Sequence, residues 1–431
     1  MSSHDCKGCG EYRRVSRRQF LRFGGTAMAG LATSLAQPSW LPRTVFADSE
    51  NSARDVVVSV FLRGGADGLS LCVPHGEAAY HRLRPNLAVP RTGPAAVIDL
   101  DGFFGLPPAL RPLLEAYRGG DLAIVHACGL ENSSRSHFDA MHFVEVGQGD
   151  APANRVTGWL GRHLAATAPS QRDAVLRAVA IGYGVPRTLV GGPRTVPIDD
   201  LGDYGFDGGA GEIAERRQAL AAMYTEAPEL LRSSAENTFR TVDLLERIDF
   251  AGYRPAGSAV YPENEFGLSL RSSAALIKAE VGVEAISIDL GGWDTHEMQG
   301  TTEGDLAQLM TTFGQGLAAF HRDLTADGFD RVSLVAISEF GRNAAENGSR
   351  GTDHGHGGAL FALGAGVRGG QIYSNWPGLE PDQLYEGQDL QVTTDYRDIY
   401  TEMLRKRLGN NDHRTVFDDP TYTPKDLGIF T

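Results

Sequence analysis

Four short, mostly apolar runs constrain the fold of this chain most: Asp55–Phe61, Asp121–Cys128, Glu284–Leu290 and Arg331–Ile337. Runs of this length, rich in Val, Ile and Ala, predict strands largely buried in a mostly parallel sheet. Helical stretches separate them, one over Pro108–Arg118 closed by Gly119-Gly120, another over about Leu306–Asp323. The fold class is therefore α/β. With 42% hydrophobic residues, the chain suffices for one large domain with insertions. Each run leads into a glycine-flanked polar motif, and ligands in open α/β sheets bind at the carboxyl ends of strands. Four motif-bearing ends can thus converge on one cleft.

Three of these motifs gather metal-ligating side chains: Gly291-Gly292-Trp293-Asp294-Thr295-His296, Ser338-Glu339-Phe340-Gly341-Arg342 and Gly351-Thr352-Asp353-His354-Gly355-His356-Gly357. A divalent ion needs several carboxylate or imidazole donors within about 2.0–2.2 Å, and neighbouring glycines let the backbone turn sharply enough to aim them. Asp294 and His296 are two apart, as are His354 and His356, so in extended chain each pair shares a face. Trp293 would wall the site. Glu339 suits a further ligand or a general base. Arg342 suits neutralising substrate oxygens or pairing with Glu339. Asp67, just past the first strand in Arg63-Gly64-Gly65-Ala66-Asp67-Gly68, suits a ligand or an Asp-Gly turn. After the second strand, Asn132-Ser133-Ser134-Arg135-Ser136-His137-Phe138-Asp139 opens a helix. A serine hydroxyl there is placed as a nucleophile or anion holder, or serves only as the N-cap, with Ser136 and Asp139 spaced as a capping box. His126, inside the second strand, reads as structural.

At the N-terminus, Ser16-Arg17-Arg18-Gln19-Phe20-Leu21 precedes a mildly apolar Gly/Ala-rich stretch to about Ala36, the pattern of a twin-arginine export signal with cleavage after Ala47. This implies passage through the twin-arginine translocase to the periplasm or beyond, with no membrane-spanning segment in the mature chain. Residues 1–47 hold seven Lys or Arg and two acids, so their removal takes the formal net charge from −14 to −19. Such acidity disfavours nucleic acid or anionic lipid as a partner. An anionic substrate would need local arginines, for which Arg63, Arg135, Arg342 and Arg368 are candidates. Cys6 and Cys9 fall in the signal; Cys72 and Cys128 suit either a disulfide or two buried thiols.

Between about residues 186 and 273 the composition turns loop-rich, then helical over 212–248, predicting an insertion or cap. Near the C-terminus, Gln391–Thr394 predicts an edge strand and Tyr396–Leu408 a helix capped by Asp395, with Asp398 at the capping-box position. No Gly-x-Gly-x-x-Gly fingerprint supports a dinucleotide-dependent redox enzyme.

The ordered motifs Arg-Gly-Gly-Ala-Asp67-Gly, Ser134-Arg-Ser-His137-Phe-Asp-Ala, Gly-Gly-Trp-Asp294-Thr-His296, Ser-Glu339-Phe-Gly-Arg342, Gly-Thr-Asp353-His354-Gly-His356-Gly and Thr-Thr-Asp395-Tyr-Arg resemble the bacterial domain-of-unknown-function family 1501. That family in turn resembles the alkaline-phosphatase-like superfamily of phosphatases, sulfatases and phosphoglycerate mutases. The resemblance implies a three-layer sandwich about a mostly parallel sheet, with one or two divalent ions (zinc, manganese or calcium). It gives Asp67, Asp294, His296, Asp353 and His354 as ligands, with Glu339 and His356 as further donors. A serine among Ser133, Ser134 and Ser136 would be the nucleophile, attended by Arg135, His137 and Arg342. The implied function is an exported metal-dependent hydrolase or transferase of a phosphate or sulfate ester. The alternative is a non-catalytic exported binding or assembly protein that keeps the fold. Glu339-Phe340-Gly341 stands where the superfamily has Asp-His-Gly, and a sulfatase Cys-x-Pro-x-Arg is missing from the sequence, which argues against formylglycine chemistry.

Overall fold

The computed structural model describes residues 54–149, 155–171, 174–182, 184–201, 204 and 210–431. The expected export signal, with Cys6 and Cys9, and the expected cleavage point after Ala47 lie outside the described residues.

The four apolar runs form strands β1 (Val56–Arg63), β2 (Leu122–Gly129), β5 (Ala285–Gly291) and β6 (Val332–Ser338). Five further strands complete a nine-stranded mixed sheet: β3 (Ala178–Ile181), β4 (Thr195–Ile198), β7 (Gly358–Leu363), β8 (Ile372–Tyr373) and β9 (Thr394–Asp395). The order is β8-β2-β7-β6-β1-β5-β3-β4, with β9 also on β2. Pairings of β1 with β5 and β6, of β3 with β4 and β5, and of β2 with β8 and β9 are all parallel. Only β7 runs against its neighbours β2 and β6.

That reversal has a functional consequence. A strand running backwards begins where the parallel strands end, so the Gly351–Gly357 motif preceding β7 arrives at the same sheet edge as the segments following β1, β2, β5 and β6.

Period-two alternation along β1 splits the core. Val58, Val60 and Leu62 pack in one layer with helices α5 (Glu265–Lys278) and α6 (Asp305–Ala326); Val57 and Phe61 face α2 (Trp159–Ala166) and α7 (Tyr396–Lys406). In α6, Met310, Phe313, Leu317, Phe320 and Leu324 are buried at helical spacing, giving the stripe that seats on the sheet.

Several expectations are corrected locally. Pro108–Arg118 is a 3₁₀ segment to Leu113 followed by a short α-turn, because Pro112 removes a backbone donor from the helix interior. The expected helix over 212–248 is two, α3 (Ala210–Thr225) and α4 (Glu229–Leu245), with Pro228 as the N-cap of the second. The segment 186–273 also supplies β4 to the sheet, where Pro197 is tolerated because the strand is at an edge. Asp395 caps α7 by accepting from Arg397 N at 2.8 Å. Asp398 forms no capping box and instead accepts from Lys425 N and Tyr422 Oη. Cys72 and Cys128 are buried free thiols rather than a disulfide. His126 is structural: its Nε2 meets Cys72 O at 2.8 Å, and burial pushes its pKa down to about 4. Among the described residues no helix is long and apolar enough to cross a membrane.

Candidate metal centre

At the carboxyl edge three imidazoles surround one carboxylate oxygen. From Asp294 Oδ1, His296 Nε2 lies at 2.9 Å, His354 Nε2 at 3.1 Å and His137 Nε2 at 3.5 Å. Among the described residues, His137, Asp294 and His354 offer ligand atoms mutually close enough for one ion. His296 adjoins them, with its Nε2 3.0 Å from that of His354.

The second nitrogen of each ring explains the orientation. His137 Nδ1 faces Glu339 Oε1 at 2.6 Å, His354 Nδ1 faces the Arg135 carbonyl at 2.9 Å, and His296 Nδ1 faces Asp353 Oδ1 at 3.3 Å. Each partner accepts, so Nδ1 carries the proton and the Nε2 lone pair turns inward. This is how outer-shell oxygens set the tautomer of metal-bound histidines. Lone pairs and a carboxylate facing one another repel unless a cation lies between them. His137 Nε2 is buried yet has no hydrogen-bond partner. The surroundings show the same demand for positive charge: burial lowers the His137 pKa, but the nearby carboxylates of Asp294 and Glu339 outweigh this and push it up to about 9. Burial works against ionised Asp294 too, yet His137, His354 and Arg342 hold it well below the ordinary carboxylate range. The donor set fits a divalent ion, which would displace that proton.

The backbone is fixed to match. Gly64 has φ +121°, and a Cβ there would stand 2.7 Å from Asp294 N, so only glycine lets the end of β1 lie against the Asp294 loop. Gly64 N donates to Glu339 Oε1 at 2.9 Å. Residues 341–343 pair with 353–356, with Arg342 opposite His354. Gly351 backs onto His296, where a Cβ would lie 2.2 Å from its backbone.

The remaining candidates have other places. Glu339 is buried and directs its carboxylate to His137, Gly64 N and Ser338 Oγ, so it orients the His137 ring. Arg342, expected near substrate or paired with Glu339, is 1% exposed and binds Asp294 Oδ1 at 2.7 Å plus the carbonyls of Gly64, Gly65, Trp293 and Thr352. Asp353 is exposed and receives His296 Nδ1 and Asn347 Nδ2. His356 does not share the face of His354: its ring stacks on Tyr385 at 4.6 Å, and burial lowers its pKa to about 4. Trp293 does not wall the site but is buried in the core against Phe313. Asp67 is taken by Arg84, Ser70 and Gln299, its Oδ2 2.6 Å from Arg84 Nη1.

Ser136 is the N-cap of helix α1 (His137–Val146), but its hydroxyl makes no capping bond, so the expected capping box with Asp139 is not formed. Ser134 Oγ accepts from Ser136 N, and Ser133 is exposed. Of the arginines expected to attract an anion, Arg135 pairs with Asp389 and Glu386, and Arg63 with Asp289 and Glu145. Arg368 follows the end of β7, at the opposite edge of the sheet.

Sequence reasoning missed Arg84 and Gln299. Arg84 sits in an ordinary helix-ending Arg-Leu-Arg-Pro, and nothing local signals a partner 17 residues back.

No curated protein matches the chain in sequence. Among solved structures it is similar to the lipoteichoic acid synthase LtaP from Listeria monocytogenes (10% identity, TM-score 0.36, covering 94% of this chain and 81% of that one). It is similar too to a protein in the alkaline phosphatase superfamily from Vibrio parahaemolyticus (11%, 0.33, 81% and 71%). A third is the phosphonate monoester hydrolase of Agrobacterium radiobacter (11%, 0.33, 86% and 79%). Likeness at this level carries no activity across. The sequence itself is matched over residues 123–420, every centre ligand included, by the family model described as "Protein of unknown function (DUF1501)", and the chain belongs to that family.

Proposed function

We propose that the protein is an exported metal-dependent hydrolase or transferase acting on a phosphate or sulfate ester. One observation carries the reading: three histidines whose Nδ1 atoms are each committed to an oxygen acceptor present Nε2 to a single carboxylate oxygen. His137, Asp294 and His354 would hold the ion, with His296 beside them. When bound, a divalent ion polarises the ester oxygens and stabilises charge developing on them. Because Arg63, Arg135 and Arg342 are engaged within the protein, that ion would supply the positive charge an anionic ester needs on so acidic a chain.

Ser136 is the best-placed nucleophile of the three serines. Its flanking residues both belong to the centre, Arg135 through its carbonyl on His354 and His137 through its ring. It is exposed, and the N-terminus of a ten-residue helix favours negative charge at its oxygen. Export rests on the Arg17-Arg18 signal, with the twin-arginine translocase as partner.

A second reading, a non-catalytic exported binding or assembly protein, draws support from His296. As a fourth protein donor it would close a tetrahedral ion, as in structural sites. Turnover of p-nitrophenyl phosphate and p-nitrophenyl sulfate by zinc- or manganese-loaded protein separates the two. The hydrolase reading requires release of nitrophenol that falls at least about a hundredfold in Asp294→Asn and Ser136→Ala. A loaded wild type inert on both esters supports the non-catalytic reading.

A further inference from the structure

We infer that the centre takes one ion, not two, because Asp67 is already neutralised by a buried guanidinium. The inference rests on the metal-centre reading above and concerns the resemblance's second ion, for which Asp67 would be a ligand.

Asp67 is 1% exposed and Arg84 fully buried. Both carboxylate oxygens are engaged: Oδ2 accepts from Arg84 Nη1 at 2.6 Å, Ser70 Oγ at 2.6 Å and Gln299 Nε2 at 2.8 Å, and Oδ1 accepts from Arg84 Nη2 at 3.0 Å. Arg84 in turn donates through Nε to Ala344 O at 2.8 Å, through Nη2 to Asn343 O at 2.8 Å and through Nη1 to Ser70 Oγ at 3.3 Å. All five of its N–H groups therefore have acceptors. A divalent ion on Asp67 would have to break this bidentate pair and sit beside a buried, permanently charged guanidinium, whose repulsion little water screens.

The pair has a different task. Gln299, which donates to Asp67, accepts through Oε1 from Thr352 Oγ1 at 2.6 Å and Thr295 Oγ1 at 3.0 Å. Thr295 follows Asp294 and Thr352 precedes Asp353, so the Arg84–Asp67 pair braces both ligand loops from beneath. Asp67 is a positioning residue.

The test is metal content of the mature protein loaded with Mn²⁺ and desalted, with the electron paramagnetic resonance of the bound manganese. One ion per chain with an uncoupled spectrum is expected, falling to near zero in Asp294→Asn and staying at one in Asp67→Asn. Two ions per chain with an exchange-coupled spectrum overturns the inference while leaving the metal-dependent reading intact, and this wild-type result decides even if Asp67→Asn does not fold. No bound ion in the wild type overturns both.

Discussion

Replacing Glu339 by Gln isolates the part of the centre that touches no ion. Glu339 is buried, its Oε1 receives His137 Nδ1 at 2.6 Å and Gly64 N at 2.9 Å, and its Oε2 faces Ser338 Oγ at 2.8 Å. Gln keeps the shape and an acceptor for His137, and its amide can donate to Ser338 Oγ, so the fold should persist. What disappears is the charge. A charge-assisted bond contributes about 1.5–3 kcal/mol and a neutral one about 0.5–1.5, so His137 loses about 1–1.5 kcal/mol of support, roughly a tenfold loss. Outer-shell substitutions generally weaken metal binding about 10–100-fold, in line with that figure. Competition titration against a chromophoric zinc chelator, with circular dichroism as the folding control, should show a dissociation constant raised at least about tenfold. A change below about twofold in a folded variant would refute the assignment of Glu339 as the group that holds His137.

Arg342→Lys keeps the charge but replaces a planar fork that binds four carbonyls and Asp294. It should cost about 1–3 kcal/mol of stability in urea melts, as stranding buried carbonyls without a donor does, and weaken metal binding with it; a midpoint within error of wild type would contradict that role. Burial lowers the pKa of His163 to about 3 and of His126 to about 4, both below the unfolded value of about 6.5. Folding therefore favours the neutral rings: their contribution is complete above about pH 6.5 and is lost as pH falls toward those values. Between pH 6.5 and 4.5, His163→Gln should remove about 2 kcal/mol of the pH-dependent loss of stability; parallel wild-type and variant curves would refute it.

The strands and the edge that carries the site were legible because buried parallel strands leave a plain mark, a mostly apolar run leading into a glycine-containing motif. The run Gly358–Leu363 does not say which way it runs, and that antiparallel strand is what brings His354 to the others. His137 illustrates a second limit. The resemblance makes it an attendant of the nucleophile, whereas its ring is fixed by Glu339, 202 residues away. Asp67 shows a third: an Asp after the first strand reads as a ligand until Arg84 is seen beside it. His356 was aimed by extended-chain alternation, which fails where Gly355 and Gly357 bend the backbone into β7.

The central claim is that one ion sits among His137, Asp294 and His354, and anomalous diffraction at the zinc edge from crystals of zinc-loaded protein tests it most directly. A single strong peak within bonding distance of His137 Nε2, His354 Nε2 and an Asp294 oxygen, with Glu339 still on His137 Nδ1, is the expected result. A zinc-loaded crystal with no peak there, or with its peak elsewhere on the surface, would contradict it.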